Sequence, residues 1–124
     1  MLKLQTGLLL FTLIALMACS QPVKSLKTED AALIAAARTG HAGTVRDMLT
    51  SGASVNVKDE HGNTALIEAA RNGHDGVVRT LLAAGADTKI TNNDGQTALT
   101  LARLGDHEDV IAALTQAGAV GSSR

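Results

Sequence analysis

Four histidines and one cysteine are the side chains with most scope for chemistry in this chain of 124 residues. His41, His74 and His107 recur at intervals of 33, so each holds the same place in a repeating pattern. Imidazoles can ligate a transition metal or relay protons. The even spacing argues against both. Rings from three stacked copies of one unit would lie about 10 Å apart, the separation of packed helices, whereas a bound ion sits about 2 Å from each ligand. His61 stands alone among turn residues and suits contact with a partner better than ligation. The chain has no G-x-S-x-G, no glycine-rich phosphate loop after a strand, no H-E-x-x-H and no paired cysteines. No catalytic residue, metal, cofactor or small-molecule substrate is therefore expected.

Cys19 is the single cysteine, which excludes an internal disulfide framework. Its context gives it another role. Lys3 supplies a basic start, residues 7–18 are almost wholly apolar, and Ala18 is a small residue before Cys19. The apolar run is shorter than the roughly 20 residues a spanning helix needs, and its shape is that of a secretory signal. Leu16-Met17-Ala18-Cys19 looks like a bacterial lipobox, with Met17 an unusual middle residue. The implied chemistry is diacylation of the Cys19 thiol, cleavage before it and acylation of the new amino group. Several acyl chains make a stable membrane anchor where one gives only marginal binding. Ser20 after the cysteine favours an outer-membrane lipoprotein facing the periplasm. The alternative is a cleaved, soluble periplasmic protein. Residues 1–18 are thus read as the signal peptide and 19–27, which hold the only proline, as a tether.

The elements that would position everything else recur. Gly62, Thr64, Leu66, Ala69, His74 and Gly85 fall, 33 positions on, upon Gly95, Thr97, Leu99, Ala102, His107 and Gly118. In the other direction Leu66, Ala69, Gly73, His74, Leu82 and Gly85 fall upon Leu33, Ala36, Gly40, His41, Leu49 and Gly52. A fixed period of this length is the mark of a stacked repeat array. Each unit reads as a turn, a helix, a short break, a second helix and a glycine stop. Leu66, Ala69 and Ala70 share one helical face at i, i+3 and i+4. Val77, Val78, Leu81 and Leu82 give the second helix an apolar stripe. Truncating Leu82 or Leu99 to Ala is expected to cost about 2–5 kcal/mol. Thr28 or Asp30 suits the cap of the first helix and Thr64 that of the third. In the last unit Arg103 replaces Ala70 and Asp106 replaces Gly73, polar changes that suit a terminal unit with nothing stacked beyond it.

Asp59, Gly62, Thr64-Ala65-Leu66, Ala69-Ala70, Gly73-His74, Val77-Val78, Leu81-Leu82 and Gly85-Ala86 resemble the ankyrin repeat. The resemblance runs over residues 28–120. It departs from the family's T-P-L-H run, with Ala65 and Ala98 for the proline and Ile67 and Thr100 for the histidine. It implies an all-α solenoid of three helix-turn-helix repeats with short β-turn fingers. The repeats span 28–57, 58–90 and 91–120, with a tail at 121–124. The family's binding surface is the concave face of inner helices and finger tips. Carried onto matching positions, that face comprises Lys58, Glu60, His61, Glu68, Arg71 and Asn72 from the second repeat. Thr91, Asn93, Asp94, Leu101 and Leu104 come from the third, and Arg38 and Thr39 from the first. The partner implied is an unidentified, periplasmic protein.

Composition narrows the partner. Eleven basic against twelve acidic residues leave a net charge of −1 and no electrostatic footprint for nucleic acid. Trp and Tyr are absent and the only Phe is Phe11, within the leader. Base or sugar stacking on aromatic rings is thereby excluded from the repeats. The reading that follows is a lipid-anchored, non-catalytic module that binds or protects a partner protein. A soluble periplasmic protein with a structural, stress-protective or inhibitor role is the other.

Overall fold

The computed structural model describes residues 28–118. The expected signal peptide, the expected acylation site Cys19, the expected tether and the tail at 121–124 lie outside the described residues. Six helices follow in order: α1 Thr28–Thr39, α2 Ala42–Thr50, α3 Ala65–Arg71, α4 Asp75–Ala83, α5 Ala98–Leu104 and α6 Glu108–Gln116. They stand in antiparallel pairs, α1 with α2, α3 with α4 and α5 with α6. Pairs stack so that α1, α3 and α5 form an inner layer and α2, α4 and α6 an outer one.

No helix pair could bury its apolar face alone. Stacking makes one continuous core that includes Leu33, Val45, Leu66, Ile67, Val77, Val78, Leu81, Val110 and Leu114. Alanines at Ala37, Ala70 and Ala102 are fully enclosed and let the inner helices approach closely. Leu82 is only partly covered, whereas Leu81 is sealed, so the heavier packing load sits on Leu81. Leu99 is buried as expected.

Helix starts follow local chemistry. Thr64 and Thr97 accept hydrogen bonds from the Ile67 and Thr100 amides, both at 3.2 Å, and cap α3 and α5. Asp30 lies inside α1 instead of at its cap. Its buried carboxylate accepts from the Ser54 amide at 3.1 Å and ties the loop after α2 to the inner layer.

The expected β-turn fingers require correction. The described residues contain no strand and form no β finger. Side chains take the amide hydrogens that a strand ladder would use. Asp59 accepts from the His61 and Asn63 amides at 2.9 Å, and Asn92, 33 positions on, accepts from Asp94 and Gln96 at 3.0 Å. Such local side chain–backbone bonds compete with regular structure. Between the two loop tips runs a backbone bond from the Asn93 amide to the His61 carbonyl, 3.0 Å, with no ladder extending it.

At the third unit the two replaced residues, Arg103 and Asp106, face solvent. Arg103 is exposed where Ala70 is sealed. At the opposite end α1 and α2 frame a cleft of about 440 Å³, lined in part by Ala32, Met48 and Ala53.

Candidate interaction face

Two of the three histidines at equivalent positions, His74 and His107, form staples between repeats, and no group of residues able to hold a metal occurs among the described residues. His74 Nε2 lies 3.0 Å from the Arg38 carbonyl, and His107 Nε2 lies 3.0 Å from the Arg71 carbonyl. A carbonyl only accepts, so each Nε2 carries the hydrogen and donates it to the preceding unit. His41 has no preceding unit among the described residues to grip, and its Nδ1 turns back to the Thr39 hydroxyl at 2.7 Å.

The staples need room. A Cβ on Gly40 would stand 2.8 Å from the His74 ring, and one on Gly73 2.6 Å from the His107 ring. Both glycines are also left-handed, at φ +86° and +75°. In the third unit glycine stands one place early, at Gly105, and Asp106 is left to adopt φ +55°.

The inner helices carry a second tie between units. Glu68 is almost fully enclosed, yet Arg38 Nε reaches one of its oxygens at 3.3 Å and Arg71 Nη1 the other at 3.1 Å. The arginine side chains remain 55% and 40% exposed, so the buried carboxylate fixes two guanidinium groups at the surface. Arg71 Nη2 also reaches Asn63 Oδ1 at 3.4 Å. That amide oxygen accepts from Asn92 Nδ2 at 3.1 Å, linking the helix ends to the loop tips.

The residues expected on the binding face therefore divide. Lys58, Glu60 and His61 are exposed on the first loop tip, and Thr91, Asn93 and Asp94 on the second. Asn93 Nδ2 donates to the Glu60 carbonyl at 3.2 Å and holds the tips together. Glu60 and His61 approach at 3.7 Å, but both are open to water and their attraction is screened. Arg38, Thr39, Arg71 and Asn72 are exposed at the inner-helix ends, with Asn72 Nδ2 bound to the Glu68 carbonyl at 2.8 Å. Glu68 and Leu101 are not surface residues: one is the enclosed centre of the arginine clamp, the other packs into the core. Leu104, in contrast, is 71% exposed.

Sequence reasoning overlooked the Asp30 tie and the Asn63–Asn92 bond. These partners are 24 and 29 residues apart, off the repeat period, so periodicity carried no signal for them. For Glu68 the sequence offered only its i, i+3 spacing to Arg71, which says nothing of its burial.

On the outer layer, α2 and α4 border a shallow groove of about 530 Å³ lined by Arg46, Leu49, Arg79 and Ala83 among others.

The family model described as "Ankyrin repeats (3 copies)" matches residues 7–92 and again 33–123. None of the curated proteins matches the chain. With paired helices stacked in register, stapled by a histidine at each repeat junction and matched over most of its length, the chain belongs to the ankyrin-repeat family and is a non-catalytic protein-interaction module.

Proposed function

We propose that this ankyrin array is exported, acylated at Cys19 and held at the bacterial cell envelope, where it binds or protects a periplasmic partner protein. Contact is made through Lys58, Glu60, His61, Arg71, Asn72, Thr91, Asn93, Asp94 and Leu104. The observation that carries this reading is the division of labour on the inner layer. His74, His107 and Glu68 are spent on fixing the backbone and the arginines, while the side chains around them project from a rigid frame. A preorganised surface loses little conformational entropy on binding. The anchor rests on the sequence Leu16-Met17-Ala18-Cys19.

Mass spectrometry of the mature protein tests the anchor. An acylated Cys19 at the N-terminus is expected, and Cys19→Ser should release the protein from the membrane fraction. An unmodified N-terminus would leave the soluble periplasmic alternative standing. A photo-crosslinking residue tests the face: at position 93 it should trap a partner, and at position 46 in the outer groove it should not. Trapping from position 46 alone would reject the concave face.

A further inference from the structure

Arg38, Arg71 and Leu104 occupy the same place in successive repeats, at the C-terminal ends of α1, α3 and α5. Their register is regular: the Arg38 and Arg71 carbonyls each accept a histidine staple from the next repeat at 3.0 Å. The three side chains therefore stand in a line, each step about 10 Å, the spacing of packed helices. All three are exposed, in the order cation, cation, aliphatic.

The arginines are not used up by their own partners. Glu68 supplies one negative charge between two guanidinium groups, leaving the cluster with a positive charge. Arg38 donates to Glu68 from Nε, and its two Nη nitrogens have no acceptor among the described residues. Arg71 is held through both Nη atoms and presents one edge. Guanidinium groups fixed in this way suit carboxylates, which they bind in paired, charge-assisted hydrogen bonds. Leu104, at the end of the line, offers an apolar surface to a side chain that has passed the second arginine.

From this line we infer the chemical class of the partner on the concave face: an extended acidic peptide segment, with two carboxylates three residues apart and an aliphatic side chain three residues further on. A chain in the extended polyproline-II conformation advances about 3.1 Å per residue with three residues per turn, so every third side chain faces the same way and three residues come to about one repeat step. The inference rests on the concave-face reading above and narrows it to a linear ligand. A membrane surface would not select for the single aliphatic site at the end of the row.

Blocked seven-residue peptides test it by NMR titration of the full chain. The peptide has Glu at its first and fourth positions and Leu at its seventh. The reversed sequence is included because the line fixes spacing but not direction. One of the two should bind and shift the Arg38, Arg71 and Leu104 signals, and replacing its Glu residues with Gln should abolish this. Arg38→Gln should weaken binding about tenfold, and Leu104→Ser about fivefold. Neither variant unfolds the array, since Glu68 keeps Arg71 and Leu104 is exposed. Unchanged affinity in both variants would overturn the inference, as would binding to phosphatidylglycerol vesicles through these residues without peptide binding. If neither peptide binds while position 93 still traps a partner, the acidic-segment inference fails and the concave face stands.

Discussion

At the scale of single residues, Gly73 and Asp106 hold the same left-handed position with opposite chemistry. Gly73→Ala places a Cβ at φ +75° and against the His107 ring at once. The expected loss is about 2–4 kcal/mol, strain and overpacking together, read from urea denaturation. Asp106→Gly should move the other way, stabilising by up to about 1 kcal/mol in the same measurement, because the aspartate bears a steric cost that glycine lacks. The Arg38–Glu68–Arg71 cluster makes a different prediction. Either arginine alone can be changed to Ala for about 1 kcal/mol, since the partner side chain still holds the carboxylate. Removing both strands a buried charge, and a double-mutant cycle should find a total loss of about 3–5 kcal/mol, well beyond the sum of the single changes.

At the scale of elements, the outer helix α4 shows where pattern reading stops. Leu81 and Leu82 both fall within its apolar stripe, but Leu81 is fully enclosed and Leu82 partly exposed. Leu81→Ala should cost about 2–5 kcal/mol and Leu82→Ala clearly less, compared by thermal unfolding followed by far-ultraviolet circular dichroism. The six helices, the threonine cap of α3 and the glycine stops were legible because each rests on local chemistry. The loops were legible only in part. Their tight tips followed from Asp59, Gly62, Asn92 and Gly95, yet the β fingers expected there do not form, since Asp59 and Asn92 satisfy the nearby amides from within the loop. On the candidate face, exposure of the loop-tip residues was readable from turn chemistry. The burial of Glu68 and Leu101 was not, because it depends on what the neighbouring inner helix brings against them.

At the scale of the whole molecule, the two ends of the stack differ in kind. One end offers the cleft framed by α1 and α2, with Ala32, Met48 and Ala53 on its walls. The other presents Arg103 where an interior repeat has an enclosed alanine. Had both ends been apolar, the tail of one molecule could add to the head of the next, and an offset contact of that sort has no geometric reason to close. The exposed Arg103 and Asp106 side chains instead give the array an end that disfavours such stacking. Arg103→Ala should let it polymerise, with light scattering that rises with concentration, while the parent chain stays at constant size.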